Sequence, residues 1–365
     1  MKKTLRLIVV IFALATPALA ERLELPFEGL ESRIDFWKKI FTQYGKDDIV
    51  IHDRFYVNLI YDVAEESNVS SKLDAVDRGL KEILQNVETP DNLSLAARVI
   101  RESIVAHGLT VTPALVDQLM ETVHTQRGIK ERFRDGIIRS GRYVDAFRAV
   151  MESHDVPTEL ALLPLVESSF QNVRSKASAL GIWQFTRGTG RSYMTINRTV
   201  DQRLDPDKAT RAAARLLRDN YRALGNWPLA ITAYNHGRGG MMRAKTEQGP
   251  EITKIIDEYR GPVFGYASMN FYAEFLAAVS VYNNYEQHFG QLVLDRPTGA
   301  VSKVAVAKAA PAKSKAAEAA DKYKVRTGDT LWEIAQRFGT SIRDLMDKNN
   351  LSKPVIYAGQ LLLIK

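Results

Sequence analysis

The chain has 365 residues, of which 25% are charged and 45% hydrophobic. These ordinary globular proportions exclude a collagenous, wholly disordered or polytopic membrane chain, and the absence of cysteine excludes disulfides, thiolate metal sites and cysteine nucleophiles. Lys and Arg number 50 against 43 Asp and Glu, a net charge of +7, but residues 21–296 hold 35 basic and 37 acidic side chains. The excess lies at the two ends, so the body offers no basic stripe of the kind nucleic acid requires, and no nucleic-acid partner is expected.

In chain order, residues 1–20 come first. Lys2 and Lys3 precede an apolar run from Leu5 to Leu14, broken by Arg6, and Pro17-Ala18-Leu19-Ala20 supplies a small-x-small cleavage site. This is the pattern of a secretory signal peptide. Its apolar core is shorter than the roughly 20 residues a helical span needs. A periplasmic or cell-envelope location is expected, with no stable transmembrane segment once the signal is removed.

Residues 21–135 are expected to form a mainly helical N-terminal region, with Ser71 preceding a helix over 72–84. Within 136–296, Asp205-Pro206-Asp207 opens a helix: Asp205 caps, Pro206 suits the first turn, and Asp207 meets the positive dipole end. Ala209, Ala213, Leu216, Leu217 and Tyr221 recur at helical spacing, and Gly225 ends the run. A further helix starts at Pro228 and runs through Tyr234 towards Gly237, and another spans 271–285. Residues 297–321 are Ala/Lys/Pro-rich without an aromatic residue and read as a tether. Residues 322–365 alternate at Tyr323–Arg326, carry the capping box Thr330-x-x-Glu333, a second short helix after Ser341, and a final strand over 361–364. The order βααβ makes a small two-layer module.

The chemistry-bearing stretches are ALLPLVESSF (161–170), ALGIWQF (179–185) and ITAYNHGRGG (231–240). Glu167 ends a segment of Leu160, Leu162, Leu163, Leu165 and Val166, with Phe170 close behind. A carboxyl in such surroundings loses solvation when charged, so its pKa rises, as a general acid for a glycosidic oxygen requires near neutral pH. Most glycosidases use two carboxylates. No second acid stands out, because Asp201, Asp205 and Asp207 lie nearest downstream and at least two of them have capping duties. The six histidines show no metal-ligand spacing such as HExxH, and neither metal nor cofactor is expected.

These three ordered motifs resemble the lytic transglycosylase and goose-type lysozyme superfamily, most closely the membrane-bound lytic murein transglycosylase D-like group. Residues 322–365 resemble a LysM module in Gly328-Asp329-Thr330-Leu331, Ile334-Ala335, Asn349-Asn350 and Gly359-Gln360-x-Leu362-x-Ile364. The resemblance implies a mainly α protein, with a lysozyme-like helical catalytic domain joined to a small α+β LysM module. It implies an exported monomer acting on peptidoglycan glycan strands, with Glu167 as the one catalytic acid and base. Ser168 and Gln184 would position substrate, Tyr234 would hydrogen-bond and orient Glu167, and Asn235 would hold the acetamido group. Gly181 would let the chain approach the sugar. Trp183 would either stack on a sugar ring or serve as a core aromatic, and His236 would form wall. Sugar would also meet the LysM module at Gly328, Asp329, Thr330, Leu331, Val355 and Ile356. The loop from Glu167 to Gly181 is one residue shorter than in many relatives, with Ser178 at a commonly glycine position. Tyr272 and Glu274 resemble the family's closing aromatic motif only in part. A muramidase that hydrolyses the same bond, or a non-catalytic peptidoglycan-binding protein, are the alternatives.

Overall fold

The computed structural model describes residues 25–175, 177–297, 322–325, 334, 338, 342–351, 356 and 359–364. The expected signal segment and tether lie outside them. The described residues fall into two compact units, one holding 25–297 and the other 322–364.

The first unit opens with α1 (Glu31–Thr42), which buries Arg33, Ile34, Phe36, Trp37, Ile40 and Phe41 along one stripe. A three-stranded antiparallel sheet follows, formed by β1 (Ile49–Asp53), β2 (Ile60–Ala64) and the later β3 (Val123–Arg127) in the order β2-β1-β3. This sheet departs from the helical reading of 21–135. The central strand is buried at every position, so it lacks the polar alternation that marks a half-exposed strand. Ile49 and Ile51 join a core with α2 (Val69–Gln85), α3 (Leu95–Ala106) and α4 (Pro113–Thr122). His52, on the opposite face, lies against Phe36, with ring centroids 4.4 Å apart. The helix expected at 72–84 begins at Val69, so Ser71 sits within its first turn, with its hydroxyl bonded to the Asn68 carbonyl.

The remaining helices are α5 (Lys130–Ser140), α6 (Val144–Glu152), α7 (Leu163–Glu167), α8 (Arg187–Arg191), α9 (Pro206–Leu224), α10 (Trp227–His236), α11 (Arg238–Gln248), α12 (Ile252–Glu258), α13 (Tyr266–Asn283) and α14 (Tyr285–Phe289). Local chemistry sets several ends as read. The Asp205 side chain accepts from the Lys208 amide, and Gly225 closes α9 at φ 85°. For α10 the cap is Asn226, which accepts from the Leu229 amide. α13 begins five residues before the expected 271. It is the central helix of the unit, packed against α1, α10 and α7. A buried polar tie fixes the α1 contact: Arg33 donates to Asn270 Oδ1 at 3.0 Å and to the Phe55 carbonyl at 2.9 Å.

In the second unit, β4 (Lys322–Lys324) and β5 (Leu361–Leu363) pair antiparallel, with Tyr323 opposite Leu362. Tyr323, Val325, Ile334, Leu345, Leu362 and Ile364 form its core, and Ile356 packs against that core. Asn349 ties α15 (Ile342–Lys348) to β5, with its Oδ1 accepting from the Leu363 amide at 2.7 Å and its Nδ2 donating to the Leu363 carbonyl at 2.9 Å. Gly328, Asp329, Thr330, Leu331 and Val355 lie outside the described residues.

Candidate active site

α7 is a single short turn that starts on Leu163-Pro164 and stops because the chain turns left-handed immediately after it. Ser169 and Phe170 have φ of 52° and 56°. Two such residues in succession cost conformational energy that the surroundings must hold. Four contacts do so. The Phe170 amide donates to the Pro164 carbonyl at 3.1 Å. Arg132 Nε donates to Ser169 Oγ at 3.1 Å, and Arg139 Nε donates to the Ser169 carbonyl at 2.9 Å. Ser168 is fully buried and donates to the Ile182 carbonyl at 2.7 Å. Its hydroxyl is therefore spent on joining α7 to the next motif, rather than on reaching substrate as expected.

That next motif is a tight loop. Gly181 has φ 85°, and a Cβ there would stand 1.9 Å from the Arg203 carbonyl oxygen. Glycine is required by this internal approach, and not by the sugar contact that the resemblance implied. Arg203 is itself buried, bound to Asp201 at 2.7 Å, and donates to the Phe185 carbonyl at 3.1 Å. Gln184 is left-handed at φ 48°, and its amide nitrogen donates to the Gly181 and Val173 carbonyls at 2.7 and 3.0 Å. Ser178, at the position commonly glycine in the resemblance, has φ 63°, the backbone a glycine adopts without strain. Trp183 is fully buried, with Nε1 donating to Thr210 Oγ1 at 2.8 Å. It is a core aromatic and has no face free for a sugar ring.

From α10, the Tyr234 hydroxyl donates to the Trp183 carbonyl at 2.8 Å, not to Glu167 as expected. It nevertheless lies near that residue: burial first, and then the Glu167 charge, push its phenol well above the usual range. Asn235 is exposed, with Oδ1 accepting from Ser268 Oγ at 2.9 Å. His236 packs edge-on to Phe264 at 5.1 Å, and burial holds its pKa down.

Glu167 is half-buried, and loss of solvent pushes its carboxyl up to about 8. The structure adds a second acid that sequence reasoning missed. Glu274 of α13 is also half-buried and is pushed up to about 8, first by burial and then by the Glu167 charge, with Arg132 acting in the opposite sense. A second desolvated carboxyl is thus present where none stood out in the sequence. The available signal was a lone acid in the apolar run Phe271–Val279, which reads equally as a solvated position until its helix is placed. Asp201, Asp205 and Asp207 are accounted for by Arg203, by the α9 cap and by Arg211. Among the described residues no group of three or more His, Asp or Glu side chains is arranged to hold a metal ion, and no helix is long and apolar enough to cross a membrane.

Residues 146–256 match the family model "Transglycosylase SLT domain" and residues 323–365 match "LysM domain". The chain carries an SLT domain and a LysM domain. Membrane-bound lytic murein transglycosylase D of Escherichia coli K12 is 29% identical over 68% of this chain and 69% of its own length. A protein of Alteromonas named "Putative tributyltin chloride resistance protein" is 36% identical over 29% of the chain and 54% of its own length. A Lactococcus lactis protein named "Probable N-acetylmuramidase" is 50% identical over 12% of the chain and 10% of its own length. Glu167, Gln184 and Tyr234 fall inside the SLT match, whereas Glu274 lies beyond its end.

Proposed function

We propose that the protein is an exported peptidoglycan lytic transglycosylase. It cleaves the bond between N-acetylmuramic acid and N-acetylglucosamine and leaves 1,6-anhydromuramyl ends. The observation that carries this reading is the Glu167 carboxyl, held at about 8 by loss of solvent inside the matched SLT segment. Near neutral pH it is protonated and gives its proton to the leaving glycosidic oxygen. The substrate's 2-acetamido oxygen supports the positive charge that develops. Glu167, now a carboxylate, takes the proton of the sugar's 6-hydroxyl, whose oxygen bonds to the anomeric carbon. The proton lost in the first half is regained in the second, and no water is consumed. Tyr234 fixes the loop beside the acid through the Trp183 carbonyl, and Gln184, strained in place, lines the same loop. The LysM module holds the enzyme near the wall and raises its local concentration.

Glu274 gives the muramidase reading a specific footing, since hydrolysis commonly uses two carboxyl groups. A base or nucleophile must be ionised, however, and Glu274 is held protonated near neutral pH by the same burial. Substrate-assisted closure is therefore favoured. Mass spectrometry of muropeptides released from purified sacculi tests the choice. Anhydro ends support transglycosylation, and reducing muramyl ends overturn it. Glu167→Gln is expected to abolish release while sacculus binding survives.

A further inference from the structure

We propose that Ser268 is a positioning residue that fixes the polarity of the Asn235 side-chain amide, so that Asn235 meets the glycan as a hydrogen-bond donor to the N-acetyl carbonyl of N-acetylglucosamine. The inference rests on the transglycosylase reading above. Asn235 is exposed near the end of α10 and directly follows Tyr234, the residue that senses the Glu167 charge. Ser268 is buried in the first turn of α13, the helix packed against both α10 and α7.

Three side chains form one chain of hydrogen bonds. Ser268 Oγ lies 2.9 Å from Asn235 Oδ1 and 3.3 Å from His236 Nδ1. A serine hydroxyl has one proton to give, so the chain runs in one direction or the other, and the His236 ring decides which. Its Nε2 is buried and has no partner among the described residues. Gly240 closes on that nitrogen, since a Cβ there would stand 2.3 Å from it, and Phe264 covers the ring edge-on. Were the Asn235 amide nitrogen turned inward as the donor, the hydroxyl proton would go to Nδ1 and the neutral ring would carry its hydrogen on Nε2. That N–H would be buried without an acceptor, which is rarer than an unpaired acceptor and costs its full desolvation. In the opposite direction His236 Nδ1 donates to Ser268, Ser268 donates to Asn235 Oδ1, and only a lone pair is left unpaired. Burial and the Arg243 charge keep the ring neutral, with the single N–H this direction requires.

Asn235 Oδ1 is thereby turned towards Ser268, and Nδ2 is the free group of an exposed side chain. Among the described residues the amide makes no other side-chain hydrogen bond. An amide nitrogen only donates, so it takes an acceptor oxygen. The muramyl acetamido oxygen supports the anomeric carbon during the reaction, which leaves the carbonyl of the neighbouring N-acetylglucosamine for Asn235. That contact is the same before and during bond cleavage, so it contributes to binding and not to the chemical step.

The test uses the full chain. In imidazole ¹⁵N spectra His236, assigned by the loss of its signals in His236→Gln, is expected as the Nδ1–H tautomer, and the Nε2–H tautomer overturns the proposal whether or not any Ser268 variant folds. On soluble peptidoglycan strands, Ser268→Ala is expected to raise KM about tenfold, the worth of one hydrogen bond, with kcat nearly unchanged, and Ser268→Thr, which keeps the hydroxyl, to restore KM. Strands whose glucosamine has been de-N-acetylated should raise the parent's KM by a similar factor and leave that of Ser268→Ala where it was. Equal discrimination by parent and Ser268→Ala, or a loss confined to kcat, overturns the proposal. If the parent released no glycan, the transglycosylase reading would fail, while the tautomer would still decide the direction of the hydrogen-bond chain.

Discussion

Buried ionisable groups occur in two regions of the first unit, and the regions treat them in opposite ways. In the N-terminal layer, Asp53 of β1 accepts from the Thr122 hydroxyl and from the Phe55 and Tyr56 amides at 2.7 and 2.6 Å. Burial pushes its carboxyl up and these bonds pull it back. Arg33 nearby is equally well met. At the α7–α13 contact, two carboxyls receive no hydrogen bond among the described residues, and loss of solvent governs both. A satisfied buried charge locks a fold, and removing one partner leaves the rest stranded. An unsatisfied carboxyl is held ready to give up or keep a proton, which costs stability and serves chemistry.

The largest expected effect breaks this contrast if it fails. Glu167→Gln should lower glycan release by roughly 10²–10⁴-fold, the usual contribution of a general acid–base group, with no loss of melting temperature. Asp53→Ala should do the reverse. It strands the Phe55 and Tyr56 amides and should destabilise the chain by about 2 kcal/mol in denaturant titration. Its specific activity per folded molecule should stay near that of the parent.

Between these lies Gly181→Ala, which combines a left-handed backbone with a clash against the Arg203 carbonyl. A loss of about 1–3 kcal/mol in thermal unfolding is expected, together with reduced turnover, because the loop that carries Gln184 must move. Thr210→Val removes the partner of the Trp183 indole and should cost about 1 kcal/mol with little change in product distribution.

The smallest effect sharpens the comparison through pH. Both active-site carboxyls titrate near 8 when folded, far above their ordinary range. The folded chain therefore holds more protons than the unfolded one between about pH 4.5 and 8. Stability should fall as pH rises across that window. Unfolding of the Glu167→Gln and Glu274→Gln variants should each show a shallower decline.

Elements whose ends are set by neighbours in the chain were legible in the sequence. The α9 cap at Asp205 and its stop at Gly225 follow from side-chain hydrogen bonding and backbone sterics within a few residues. So was the acid itself, since the apolar residues that desolvate Glu167 include its own neighbours. The β-sheet was not legible, because β1 is buried on both faces and pairs with β3, which carries the polar sequence Val-His-Thr-Gln-Arg. The surroundings of Ser168 and Trp183 were not legible for a related reason: whether a polar or aromatic group meets substrate or core depends on what packs over it, here the Ile182 carbonyl and Thr210.

By itself, then, the chain's order of residues determined the helices of the body from α9 onward, the strands that open and close the tail, and a carboxyl among apolar neighbours. Only the tertiary structure decided that Tyr234 bonds a carbonyl in place of the acid, and that a second glutamate on α13 comes to share the first one's surroundings. Electrostatic coupling depends on distance and dielectric, and neither exists for residues far apart in sequence until the helices that carry them have packed.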